Sequence, residues 1–372
     1  MTPAKLKLKA QLTAVRTLLR LLLRWTHTTG DRPGYCIVLG VPWMLRELLD
    51  VNLRFVDGCD LTDLDTIHIV FDRVAQPEGD DLIAQTKQRF PGLPLAFHFH
   101  PDRTGKLIGA SNNASLFACM NWMLGLRAAR TKYVLLHDFD LYPIEPLYFR
   151  NLHRNLRDRQ LHFTANERTY FDGLTDEDNI LGTWSLGIDA DWLRENFKPV
   201  HCFHAVAKVF GRWTSLDGLT HIETHTDRRA LCDVFLPDHA VHVTNLCSVY
   251  RRYRSGQDFD PVWRLHLLWY LQFVAGDAAP MQQATEAMRQ TTSPTLSFDR
   301  NTIDFSQSHH TCGNVVRDCI TRMEHALQGS VRDQVAAYLA ASDAFWPRFG
   351  RRDDHEPQPT ASTNAIEQEA SA

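Results

Sequence analysis

The stretch Tyr133-Val-Leu-Leu-His-Asp138-Phe-Asp140-Leu-Tyr-Pro143 decides how the rest of the chain is read. Its apolar run from Tyr133 to Leu136 predicts a buried strand. The run ends in two carboxylates two residues apart, and Pro143 then stops the extended backbone. Residues i and i+2 of a strand share a face, so Asp138 and Asp140 are placed to point at one object past the strand's end. Two hard oxygen ligands at a strand mouth suit a divalent cation carrying a phosphorylated substrate. Most D-x-D triplets are loop openings with solvated acids, so the pair is weighed by its surroundings.

Those surroundings alternate. Tyr35 to Gly40, Thr66 to Asp72 and Leu93 to His100 read as strands, with helices at Trp43 to Phe55 and Asp80 to Phe90. A long helix from Ser111 to Arg130, N-capped by Ser111, leads into the acidic strand Tyr133 to Asp140. This βαβαβαβ order predicts an α/β fold with a doubly wound, mainly parallel sheet. Ligands of such sheets sit beyond the carboxyl ends of the strands, where Pro42, Asp72, His100 and the two acids all fall. Farther on, Leu147 to Leu156 reads as a helix, Leu161 to Phe171 and Gly182 to Asp189 as strands, and Asp191 to Phe197 as a helix. Residues 201 to 235 read as helical pieces broken at Asp217-Gly218, and Ala240 to Thr244 as a short strand. The basic segment Arg251-Arg-Tyr-Arg254 reads as a loop before a helical extension reaching Trp346. The resulting plan is an amphipathic segment at 1–30, a catalytic domain at 31–255, a helical extension at 256–350 and a disordered tail at 351–372, rich in Pro, Gln, Ser, Thr and Glu.

A formal charge of −4 gives no reason to expect nucleic acid as a partner. Eight cysteines without a C-x-x-C pair read as reduced thiols, which suits a cytoplasmic protein. Residues 4–25 carry Lys5, Lys7, Lys9, Arg16, Arg20 and Arg24 among leucines with no acid. This basic amphipathic helix either docks on an anionic membrane at its inner face or packs on its own domain. Its apolar runs are too short to span a bilayer, which takes ~20 residues, and it lacks the small-residue cleavage site of a signal peptide. His98 and His100 share a strand face, but His-x-His on a strand usually packs or faces solvent. G-x-S-x-G, Walker and G-x-G-x-x-G motifs are absent.

The order of strands closing on Asp138-Phe-Asp140, preceded by Lys106 and Gly109-Ala-Ser-Asn-Asn113, resembles the nucleotide-sugar glycosyltransferases of GT-A type. The resemblance spans roughly residues 35 to 250. It departs from the family at Asp72-Arg73, where no Asp-Asp-Gly-Ser follows, and it lacks a Gln-x-x-Arg-Trp and a clear Glu-Asp pair. It implies Mn²⁺ or Mg²⁺ held by Asp138 and Asp140 with His242 as third ligand, bridging a nucleoside diphosphate sugar. It implies a nucleoside contact at Asp72, with Asn113 and Lys106 near that pocket and Pro42 at the end of the first strand. Arg251, Arg252 and Arg254 would clamp the diphosphate, or form a solvated basic loop. A general base for an inverting reaction falls to Glu223, with Asp217 second, although either also reads as a capping or surface acid. Trp184 would stack on an acceptor sugar or fill the core. A nucleotidyltransferase also sets acids at the end of a parallel sheet, but Gly40-Val-Pro-Trp-Met offers no basic glycine-rich loop. A sugar-binding relative without catalysis is the non-enzymatic reading.

Overall fold

The computed structural model describes residues 2–111, 114–169, 180–232, 239–255, 262–298 and 301–351. Strands β1 (Arg32–Val41), β2 (Leu64–Phe71), β3 (Leu95–Phe99) and β4 (Thr131–His137) form as expected and pair in parallel, β4 beside β1, β1 beside β2 and β2 beside β3. The sheet continues past β4. There β7 (Ser185–Asp189) runs antiparallel to β4, β6 (Phe163–Ala165) antiparallel to β7, and β10 (Arg229–Leu231) parallel to β6. The result is one mainly parallel seven-stranded sheet.

Alternation along β1 explains why the strands read as unbroken apolar runs. Tyr35, Ile37 and Leu39 enter one hydrophobic cluster, and Cys36 and Val38 enter another on the opposite face. The first cluster also holds helix α2 (Leu49–Asp57), with Leu82 of α3 (Pro77–Arg89) packed against it. The helical region after the sheet joins the same cluster through Leu267, Trp269, Val335 and Trp346. The second holds helix α5 (Ala114–Ala128) and the inner face of helix α1 (Pro3–Leu22), through Leu12, Val15 and Leu19. Helix α5 approaches β1 closely at Gly125, where a β-carbon would stand 2.2 Å from Val38 Cγ1.

Several expectations are corrected. The helix expected over 111–130 is present as α5, and helix already runs through α4 (Asp102–Ser111) before it, so Lys106 and Gly109 lie inside a helix rather than at its opening; residues 112–113 lie outside the described residues. Residues 205–216 are not helical but a hairpin, β8 (Ala205–Val209) and β9 (Arg212–Leu216). It turns on Phe210 and Gly211, both at positive φ (45° and 81°), which is the two-residue turn whose twist suits a hairpin. Of the strand expected at 161–171, the described residues 161–169 form Phe163–Ala165 and an isolated bridge between Arg168 and Leu181, and residues 170–171 lie outside the described residues. The segment holding Arg251, Arg252 and Arg254 is a helix, Leu246–Ser255. The C-terminal region adds a hairpin, Thr295–Phe298 with Asn301–Asp304, among its helices. The tail from 352 and Asn113 lie outside the described residues. All eight cysteines are free thiols.

Because Val38 is branched at the β-carbon and held in a strand, it has little room to retreat from a new methyl group. Gly125→Ala is expected to cost about 2 kcal/mol, read as a lower urea midpoint at unchanged m-value. A cycle with Val38→Ala should show favourable coupling of about 1 kcal/mol; strict additivity would contradict this contact.

Candidate metal and nucleotide site

Strand β4 stops at His137, and both acids lie in the turn just past it. Three sets of hydrogen bonds fix that turn. Asp138 N–H donates to the Trp184 carbonyl (2.9 Å), tying it to the antiparallel neighbour β7. The side-chain amide of fully buried Asn52, on α2, donates to the carbonyls of Phe139 (3.0 Å) and Leu141 (3.1 Å). Phe139 is buried, which leaves Asp138 and Asp140 on the other side of the backbone.

The chain then forms β5 (Leu141–Pro143), which pairs antiparallel with β11 (Ala240–His242) so that His242 stands opposite Leu141. This pairing imports the histidine from a hundred residues away. His242 Nε2 lies 3.4 Å from Asp140 Oδ1. Asp140 also accepts from Leu246 N–H through Oδ2 (3.2 Å), and its carbonyl accepts from Val243 N–H (2.8 Å). Asn245, just before that helix, takes a left-handed conformation (φ 64°), which asparagine tolerates better than most residues. One ligand atom from each of Asp138, Asp140 and His242 falls within a set spanning at most 4.8 Å.

The electrostatics of this cluster describe a place that lacks positive charge. Burial first, then the charge of Asp140, push Asp138 up to about 7, and Asp217 adds to the rise while His242 opposes it. Burial works against a protonated His242, yet its hydrogen bond to Asp140 and the charges of Asp140, Asp138 and Glu167 raise its pKa. Two carboxylates and an imidazole form an oxygen-rich donor set of the kind that Mn²⁺, and to a lesser degree Mg²⁺, accepts. A bound dication would reverse both shifts, keeping Asp138 ionised and His242 neutral. The residues fit such an ion.

Around the acids the sequence candidates divide. The Cys247 thiol is pushed up by burial and then by the charges of Asp140, Asp72 and Asp138, with Arg251 opposing. Asp72, Asp138, Asp140 and Arg251 are thus all within electrostatic reach of one thiol. Asp72 itself is raised by burial and accepts from Trp43 N–H (2.7 Å), capping the 3-10 turn after Pro42. Arg46 and Arg73 lay their guanidinium groups on the Trp43 ring at 4.8 and 5.0 Å, two cations that the sequence pattern did not nominate. Arg252 and Arg254 share a helix with Arg251, and Arg254 is exposed. Lys106 is exposed on α4 and lies 3.7 Å from Asp102.

The two nominated bases have different surroundings. Glu223 is 1% exposed, accepts from Leu181 N–H (2.7 Å) and has Arg229 at 3.8 Å; burial pushes it up to about 8. Its carboxyl group is a strut for the backbone leading to Trp184. Asp217, with its side chain 39% exposed, lies 3.8 Å from His204 Nδ1, and His204 Nε2 shares a hydrogen bond with Ser215 Oγ (2.7 Å). Trp184 is partly exposed, its ring centroid 5.5 Å from that of His242. Glu167, which no spacing singled out, carries a carboxyl raised by burial within electrostatic reach of His242. The other strand histidines are spent on pairs, His98 with His68 (3.0 Å) and His100 with Asn121 (2.7 Å).

No family model and no curated protein matches the chain. Among solved structures, it is similar to the mannosyltransferase PcManGT from Pyrobaculum calidifontis in complex with GDP-Man and Mn²⁺, at 12% identity and a TM-score of 0.41, covering 91% of this chain and 96% of that one. It is similar to S. aureus TarS 1–349 in complex with UDP at 13% identity and a TM-score of 0.37, covering 85% of this chain and 89% of that one. It is also similar to the galactosyltransferase LgtC in complex with donor and acceptor sugar analogues, at 16% identity and a TM-score of 0.34, covering 44% of this chain and 60% of that one. Likenesses at these TM-scores carry no argument about chemistry; that rests on the chain's own side chains.

Two outcomes are expected. Mn²⁺ should raise the melting temperature of the wild type, and Asp140→Asn or His242→Ala should abolish the rise in differential scanning fluorimetry; an undiminished rise in both variants would place the ion elsewhere. For Glu223, the folded state keeps a proton that an unfolded glutamate, at 4.5, has shed, so its contribution is present below that range and lost as pH rises through about 8. Glu223→Gln should therefore gain stability relative to wild type between pH 5 and pH 8, by urea melts across about that range.

Proposed function

We propose that this protein is a metal-dependent glycosyltransferase that moves a sugar from a nucleoside diphosphate donor to a glycan, lipid or protein acceptor. The observation that carries this reading is the convergence of Asp138, Asp140 and His242 beyond the carboxyl ends of parallel strands. These three residues would hold Mn²⁺ or Mg²⁺, which when bound supplies positive charge to a leaving diphosphate. Arg251 suits the diphosphate oxygens because a guanidinium fork donates two parallel hydrogen bonds. Asp72 holds the turn that carries the Trp43 ring, itself gripped by two arginines, and the nucleoside would lie against that wall. The partly exposed Trp184 ring offers a flat face to a sugar.

Asp217 is the better placed of the two bases, since Glu223 is enclosed and committed to Leu181. In an inverting transfer the acceptor oxygen attacks the anomeric carbon and its proton passes to the Asp217 carboxylate. The bond to the diphosphate breaks with its electron pair on the phosphate oxygen. His204, anchored through Ser215 and 3.8 Å from Asp217, would orient that carboxylate and is a positioning residue.

The test is a thermal-shift screen of UDP-, GDP-, dTDP- and CMP-sugars with and without Mn²⁺. One donor class should stabilise the wild type only with the metal, by roughly 2.7 kcal/mol at ~100 times its dissociation constant, and Asp140→Ala should lose the response. A failure of every nucleotide to stabilise the wild type would overturn the donor assignment. Once a donor is known, Asp217→Asn should lower kcat ~10²–10⁴-fold while donor binding stays near wild type; a loss of donor affinity instead would remove Asp217 from the role of base.

A further inference from the structure

Helix α1 is amphipathic twice over. One face is already spent, because Leu12, Val15, Leu19 and Leu23 are buried against the second core cluster. The end of the segment is fastened to the same body by Trp25 Nε1–H donating to the Phe197 carbonyl (2.7 Å) and Thr26 Oγ1–H donating to the Arg127 carbonyl (2.6 Å). Lys9 is spent as well, with its ammonium 3.9 Å from the centre of the Trp213 ring. The packing reading of this segment therefore holds for its inner face. It does not account for the outer one.

Eight large hydrophobic residues stand exposed among the described residues, and four of them are on this helix: Leu6 (56%), Leu18 (49%), Leu21 (75%) and Leu22 (40%). The other four, Met44, Leu147, Phe210 and Val315, are scattered along the rest of the chain. Leu18, Leu21 and Leu22 fall within two turns, and exposed Arg20 and Arg24 flank them. Lys7 stands exposed beside Leu6 near the start of the helix. The first thirty residues hold six Lys and Arg and no Asp or Glu, in a chain whose overall charge is −4. No helix among the described residues is long and apolar enough to cross a membrane.

We propose that the outer face of α1 docks on an anionic lipid surface, lying in the plane of the interface. Exposed leucines set among arginines, on a helix fixed to a rigid body, match the requirements of such a surface: apolar side chains reach the acyl boundary while the guanidinium groups meet the headgroup phosphates. The choice of a bilayer over a nucleic acid rests on the leucines, since a phosphate backbone gives three exposed leucines nothing to bury against. The tethered helix end sets the orientation in which the whole body would meet the lipid.

The experiment is flotation of the full chain with vesicles of phosphatidylcholine alone and with about one third phosphatidylglycerol, over a series of salt concentrations. Flotation with the anionic vesicles only, falling as salt rises, is the expected result. Arg20→Gln with Arg24→Gln should weaken it about fivefold per charge removed. Leu18→Asn with Leu21→Asn should weaken it at every salt concentration. Both pairs are exposed, so an unchanged melting temperature and far-ultraviolet spectrum should accompany the loss. No flotation at low salt would overturn the proposal. Binding that ignores the leucine substitutions, or retention on duplex DNA without flotation, would do the same.

Discussion

Two carboxylates, Asp138 and Asp140, are held side by side in a place partly closed to water. That is an expensive arrangement, and the surrounding structure exists to enforce it. Burial and mutual repulsion push a proton onto one of the pair, as the rise of Asp138 to about 7 shows. A chain free to relax would turn one acid outward. Here the turn is gripped on three sides, by β7 through the Trp184 carbonyl, by α2 through Asn52, and by the segment 240–246 through His242, Val243 and Leu246. Two of these supports, α2 and β7, also pack in the two hydrophobic clusters. The cost of the cluster is therefore borne by the whole core, which is what a preorganised ion site requires.

The same logic sorts the neighbours by their surroundings. Glu223 and Asp217 are six residues apart, and they differ in what faces them. Glu223 is enclosed and hydrogen-bonded to a backbone amide, so it sets the path of the chain toward Trp184. Asp217 is partly exposed, stands 3.8 Å from His204 and is within electrostatic reach of Asp138. Arg251 and Arg254 both stand exposed on one helix, and Arg251 shares with the acids an electrostatic reach to Cys247.

The parts legible in the sequence were those written in local pattern. Four apolar runs gave four parallel strands because both faces of β1 are covered, and the acids at the end of the fourth declared themselves by position. The hairpin at 205–216 was not read, since its signal is a single Phe210-Gly211 turn between short segments whose alternation is interrupted by Lys208 and Trp213. His242 was nominated by resemblance, but the pairing of β5 with β11 that delivers it is a long-range event that three-residue strands do not announce. Glu167, Arg46 and Arg73 were invisible for the same reason. Their relevance lies in what they stand next to, and no spacing along the chain encodes that.

The β5–β11 pairing also imposes an order in time. During synthesis the two aspartates, and the four parallel strands that present them, leave the ribosome about a hundred residues before His242 does. A nascent chain ending before residue 239 carries both acids without His242 and without the strand that pairs with β5. The three-residue cluster is therefore complete only once the short strand 240–242 is in the chain and paired with β5.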